Sequence, residues 1–120
     1  MKKALVVDDC KETSSKLSEI LSRNGYQVIS ADNGKDAINL ASEYIPDFVL
    51  MDIVMPELNG FQATRQLHKT PATSNIPVIM VSAKDQEVDR QWSEKQGARA
   101  YLCKPVDEKQ LLRTIDQVIQ

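Results

Sequence analysis

Two short runs constrain this chain more than anything else in it: "DFVLM" (47–51) and "IPVIMVS" (76–82). Both are apolar at almost every position, with no polar residue at every second place. A strand with one face in water would alternate. A run without alternation fits a strand covered on both faces, and such strands belong to parallel sheets packed between layers of helix.

The remaining sequence supplies the rest of that architecture. "ALVV" (4–7) leads into "KETSSKLSEILSRNG", which sets Leu17, Ile20 and Leu21 on one helical face and stops at Gly25. "YQVISA" (26–31) precedes "GKDAINLASEY", where Ala37, Ile38, Ala41 and Tyr44 recur at helical spacing. After the third strand come a loop, "DIVMPELNG", and a helix from about Phe61 to Lys69. "DQEVDRQWSEKQG" reads as the next helix, closed by Gly97. "ARAYLCK" and "DEKQLLRTIDQVIQ" end the series, the latter with a stripe of Leu111, Leu112, Ile115, Val118 and Ile119. Strands alternating with helices predict an α/β fold of five βα units with right-handed crossovers. No linker, low-complexity segment or repeat interrupts it, and 120 residues suit one domain.

Composition excludes several function classes. Apolar residues at 42% and charged residues at 27% describe an ordinary globular chain. A net charge of −2 without a basic block offers nothing to neutralise a phosphate backbone, so nucleic acid is not an expected partner. No run approaches the ~20 apolar residues of a membrane helix. "MKKALVV" starts like an export signal but meets Asp8 too soon. A cytoplasmic location is expected. Cys10 and Cys103 are too far apart for a paired metal motif and are read as free, partly buried thiols. His68 has no Cys or His near it and reads as a polar residue late in a helix, so a zinc site is not expected. No G-x-S-x-G elbow supports a hydrolase triad.

A doubly wound sheet places its functional groups beyond the carboxyl ends of the strands. The first strand here ends at Asp8 and Asp9, the third at Asp52, the fourth at Ser82 and the fifth at Lys104. A lone aspartate could cap the following helix, Ser82 could be a plain strand terminus and Lys104 a solvated charge. Those readings account for each residue and not for the coincidence. Three carboxylates sharing a crevice raise one another's pKa values unless a cation joins them. A hard ion such as Mg²⁺ suits them, since it binds oxygen, takes one or two carboxylates directly and keeps several waters.

The segments "LVVDDC", "VLMDIVMPELNG", "VIMVSAK" and "AYLCKPVD" resemble the four signature segments of bacterial response-regulator receiver domains, over essentially the whole chain. More narrowly, "LMDIVMPELNGFQATRQL" and "KPVDEKQLLRTI" resemble the single-domain PilH-type regulators of type IV pilus twitching motility. The resemblance implies a flavodoxin-like (βα)5 sandwich, doubly wound, with a five-stranded parallel sheet in the order 2-1-3-4-5. It implies Asp52 as phosphoacceptor, with Ser82 and Lys104 on the phosphoryl oxygens. It implies an Mg²⁺ site of Asp9, bound directly, Asp8, through a water, Asp52 and the backbone carbonyl of Val54. Ser82 and Tyr101 would form the switch, and Lys104–Pro105 would be cis. A chemosensory-type histidine kinase and a downstream protein are the implied partners, for a monomer or weak dimer. Since the chain ends soon after its last helix, one receiver domain over 1–120 and no DNA-binding output domain are expected.

Three rivals deserve comparison. Haloacid-dehalogenase-type phosphatases carry their nucleophile at the end of the first strand in a D-x-D pattern, where this chain has adjacent aspartates. A flavodoxin-like flavin binder needs a phosphate-cradling first loop, which "DDCKE" would repel. A degenerate receiver, or one serving only as a phosphate sink, would share the fold. The degenerate form is disfavoured because none of the acidic or basic positions is lost. Ser82 stands where Thr is more frequent in the family, and no family role covers the cysteines.

Overall fold

A computed structural model describes residues 1–119. The elements run β1 (Lys3–Val7), α1 (Lys11–Arg23), β2 (Gln27–Ala31), α2 (Gly34–Tyr44), β3 (Phe48–Met51), α3 (Gly60–Lys69), β4 (Val78–Ser82), α4 (Glu87–Lys95), β5 (Ala100–Cys103) and α5 (Glu108–Ile119). The strands form one parallel sheet in the order β2-β1-β3-β4-β5, as the resemblance implied. Each strand lies within two residues of its expected place. β4 begins at Val78 because Pro77 has no amide to give, although its carbonyl accepts from Val49. Gln120, which the last helical stretch was expected to include, lies outside the described residues.

The non-alternating runs do what their composition requires. Every residue of β3 and β4 is buried, and alternate side chains feed opposite core layers. Val49, Met51, Val78 and Met80 face Ala37 and Ala41 of α2 and Ala63 and Leu67 of α3. Phe48, Leu50, Ile79 and Val81 face Leu17, Ile20 and Leu21 of α1 and Leu111 and Ile115 of α5. Leu112, Val118 and Ile119 pack against that second layer from its rim, completing the expected stripe. Period-two alternation thus sorts one strand's side chains between two cores.

Two expectations fail. Tyr44 was expected on the buried face of α2, but it is 42% exposed. Tyr44 is the last residue of α2, and Ile45 caps the helix in the left-handed region (φ 45°). Cys10 was expected to be partly buried but is exposed, because it stands at the N-cap of α1, just outside the helix. It is also the reason neither aspartate caps that helix. Gly25 (φ 89°) and Gly97 (φ 106°) end their helical segments in a conformation that side chains resist.

Candidate functional site

The parallel order brings the ends of β1 and β3 side by side, Val7 opposite Met51. The next residues, Asp8 and Asp52, are therefore neighbours across the sheet edge. Asp8 Oδ1 accepts from the Cys10 amide at 2.8 Å, which aims the carboxylate back over the strand end. Asp52 Oδ1 accepts from the amide of Ile53 at 2.9 Å. Asp8, Asp9 and Asp52 each offer an oxygen within 4.8 Å of the others. Asp8 and Asp52 are buried, and Asp9 stands exposed at the mouth.

Lys104, after β5, reaches into the same pocket. Its Nζ lies 2.8 Å from Asp8 Oδ2 and 3.6 Å from Asp52 Oδ1. The Lys104–Pro105 bond is cis, as expected. Asp8 Oδ2 is fully buried and accepts no well-aligned hydrogen bond; its close ammonium neighbour is an ion pair set at a poor angle. One cation against three carboxylates leaves the pocket with excess negative charge. Burial, then Asp8, pushes the Asp52 carboxyl up to about 6, and Asp9 adds to the rise; Lys104 and the Ile53 amide pull the other way without cancelling it. Burial would lower Lys104, but Asp8 and Asp52 outweigh it and hold its pKa above the ordinary lysine value. Three carboxylates, each offering an oxygen within 4.8 Å of the others, are a donor set that fits a hard divalent cation.

Ser82 ends β4 almost wholly buried, and its Oγ accepts from the Lys84 amide at 3.2 Å. Tyr101, half-buried on β5, donates its hydroxyl to the Lys84 carbonyl at 2.6 Å. Arg90 lies 4.9 Å above the Tyr101 ring. The two expected switch residues therefore do not stand alone: both are tied to the backbone of Lys84. Val54, by contrast, is 60% exposed at the rim.

Sequence reading missed the two parts made of backbone. One is the Lys84 peptide, for which no side-chain signal exists. The other is the seat of α3. A Cβ at Gly60 would come within 2.1 Å of the Asp52 carbonyl oxygen, so only glycine lets the helix start so close. Its amide donates to the Ile53 carbonyl at 2.9 Å. "NGFQ" did carry a signal for this start. Asn59 accepts from the Gln62 amide and the Gln62 side chain accepts from the Asn59 amide, a reciprocal cap with a known spacing.

A parallel sheet in this order, with a buried acid pair and a lysine at its carboxyl edge, defines a receiver. Residues 4–116 match the response regulator receiver domain model, and the chain belongs to that family. It is 56% identical to the protein PilH of Pseudomonas aeruginosa over 119 residues, which cover 99% of this chain and 98% of PilH. Among solved structures it is similar to the chemotaxis protein CheY4 of Vibrio cholerae, with a TM-score of 0.93, 28% identity and 98% of each chain covered. It is also similar to the receiver domain of the sensor histidine kinase PA1611 of P. aeruginosa, with a TM-score of 0.91 and 28% identity, covering 98% of this chain and 97% of that one. That structure has a magnesium ion coordinated in its active site cleft. Receiver domains are signalling proteins rather than metabolic enzymes, which sets the phosphatase and flavin-binding rivals aside. No helix among the described residues is long and apolar enough to cross a membrane.

Proposed function

We propose that this receiver accepts a phosphoryl group on Asp52 from a chemosensory-type histidine kinase and passes the signal by contact with another protein. The observation that carries the reading is the buried Asp52 carboxylate flanked by Asp8, Asp9 and Lys104. An Asp52 oxygen attacks phosphorus, the bond to the donor imidazole breaks, and an acyl phosphate remains. Such transfer asks for in-line positioning and charge compensation more than for covalent work. Asp9 and Asp52 directly, Asp8 through a water and the Val54 carbonyl would hold Mg²⁺, which supplies charge neutralisation when bound. Lys104 stands where a phosphoryl oxygen on Asp52 would need an ammonium. Ser82 can exchange its bond from the Lys84 amide for one to a phosphoryl oxygen. Losing that tie loosens the loop whose carbonyl holds Tyr101.

The 98% coverage of PilH supports a receiver that works over residues 1–120 as one unit, and the 56% identity supports a role in type IV pilus twitching motility. A cytoplasmic monomer or weak dimer suits that role. A receiver that only drains phosphoryl groups from a shared kinase is the alternative.

Intact mass after incubation with acetyl phosphate and Mg²⁺ tests the acceptor. One added phosphoryl group is expected on the parent and none on Asp52→Asn; equal labelling of both at the same position would falsify the assignment. Calorimetry tests the cation. Affinity for Mg²⁺ should fall most in Asp9→Ala, where a direct ligand goes, and less in Asp8→Ala. Parent-like affinity in Asp9→Ala would remove the exposed aspartate from the ligand set.

A further inference from the structure

Away from the strand-end pocket, α3 and α4 meet along a cleft of about 380 Å³ lined by Arg65, His68, Lys69, Trp92, Lys95 and Gln96. No carboxylate lines it, in a chain whose net charge is −2. Among the described residues, ion pairs use only Arg23 and Lys104 as cations, so Arg65, Lys69 and Lys95 face the cleft unpaired. Lys95 Nζ lies 5.9 Å over the Trp92 ring, and Trp92 meets Phe61 edge-on at 6.4 Å between centroids. Trp92 is nonetheless 49% exposed, and Val88, one turn earlier on α4, is 60% exposed. Phe61, Arg65 and Lys69 share one face of α3, and Val88, Trp92 and Lys95 share one face of α4. The seam is thus apolar toward the helix starts and cationic toward their ends.

Ordinary helix electrostatics accounts for part of this. Lys69 and Lys95 sit in the last turns of their helices, where a positive charge complements the macrodipole. It does not account for Arg65 in mid-helix, nor for two large apolar residues left in water. The base of the cleft is also fixed. His68 Nδ1 lies 3.1 Å from the Thr64 carbonyl oxygen, and a Cβ at Gly97 would come within 2.7 Å of the His68 ring.

We propose that this cleft docks an acidic amphipathic segment of a partner protein. An aromatic or aliphatic side chain would lie on Val88 and Trp92, with carboxylates toward Arg65, Lys69 and Lys95. Tryptophan and arginine are the residues that concentrate binding energy at an interface, and the charges set orientation and encounter rate. A second copy of this chain does not fit, because an isologous contact would press cations against cations. Nucleic acid fits poorly, since three cations on an acidic protein release few counterions. The cleft contains none of the strand-end residues, so the inference does not depend on phosphoryl transfer.

The experiment pans the full chain against two display libraries of one amphipathic helix. They are alike in their apolar positions, but one is flanked by Asp and Glu and the other by Lys and Arg. Binders should emerge from the acidic library alone and should shift the fluorescence of Trp92, the sole tryptophan. Arg65→Glu with Lys95→Glu should weaken them by roughly tenfold or more, and Lys69→Glu by less in the same direction. Lys35→Glu with Lys109→Glu, exposed on other helices, should leave them unchanged. An acidic library that yields no binders, binders indifferent to the charge reversals, or heparin or RNA binding as tightly through the same cations would each overturn the proposal.

Discussion

Helices α1 and α4 both follow strands that end at the acidic pocket, yet they are attached to the molecule in different ways. α1 buries Leu17, Ile20 and Leu21, each at most 4% exposed, against the sheet. α4 buries only Ser93, and its hydroxyl bonds back to Asp89 of the same helix. Neither helix has a side-chain cap at its start, so capping does not explain the contrast. Apolar burial does, since each fully buried leucine or isoleucine contributes about 1.5–3 kcal/mol. The aspartates that must hold a fixed geometry stand beside the anchored helix. The backbone of Lys84, which bonds Ser82 through its amide and Tyr101 through its carbonyl, stands at the entrance to the loosely held one. A segment with little apolar burial opens at low cost, which is what a signalling surface needs.

The contrast can be broken most directly by emptying each helix of its buried residue. Leu21→Ala should cost about 2–5 kcal/mol in urea unfolding, because it leaves a cavity beneath α1. Ser93→Ala should cost under about 1 kcal/mol, the worth of one local hydrogen bond. A loss from Ser93→Ala comparable to that from Leu21→Ala would mean that α4 is held as firmly as α1, through its one buried residue.

A second test places the pH sensitivity on the anchored side. Asp52 binds its proton more tightly in the folded chain, where its pKa is about 6, than at the ordinary value of 3.8. Its contribution is therefore fully present below about pH 4 and is lost as pH rises through 6. Without divalent cation, Asp52→Asn should stabilise the protein at pH 7 by on the order of 1–2 kcal/mol and give no gain near pH 4. Added Mg²⁺ should narrow the difference. Thermal melts across that range would show it, and a pH-independent gain would trace the effect to packing.

The smallest expected effect sharpens the comparison by asking which side sets the lifetime of the acyl phosphate. Hydrolysis needs a water held in line behind phosphorus. The resemblance to receivers implies that two side chains would flank that path: Val54, two residues after Asp52 on the anchored side, and Lys84, two after Ser82 on the loose side. Val54 cannot hold a water, and a charged Lys84 cannot act as a base. The phosphorylated state should persist, and Val54→Asn with Lys84→Glu should speed its decay by roughly tenfold for each ~1.4 kcal/mol of barrier removed. The readout is phosphoprotein remaining after donor removal in excess Mg²⁺. The single variants apportion the effect between the two sides, and a double variant that decays no faster would clear both residues.

The two-sided core was legible because β3 and β4 leave no choice of face, and the clustering of Asp8, Asp9, Asp52 and Lys104 followed from parallel strands alone. Strand order came from family resemblance, since no residue pattern encodes which parallel strand lies beside which. The loose seating of α4 could have been read in "EVDRQWSEK", whose only large apolar residues, Val88 and Trp92, make one narrow stripe. Tyr44 misled because periodicity continues to the end of a helix whereas contact does not. The Lys84 hub was illegible for a different reason: it consists of backbone atoms brought together by the fold, which no side-chain pattern marks, whereas the seat of Gly60 had its signal in the reciprocal cap of "NGFQ".

The close seat of α3 has a mechanical consequence. Gly60 stands so near the Asp52 carbonyl that no side chain fits between the start of α3 and the peptide behind the acceptor. A group added in front of Asp52 must displace something. Across the pocket, the side chains of Ser82 and Tyr101 are each tied by a hydrogen bond to the backbone of Lys84, one to its amide and one to its carbonyl. A load applied at the carboxylate would then meet a fixed neighbour on the Gly60 side and a side-chain tie on the side of β4 and α4.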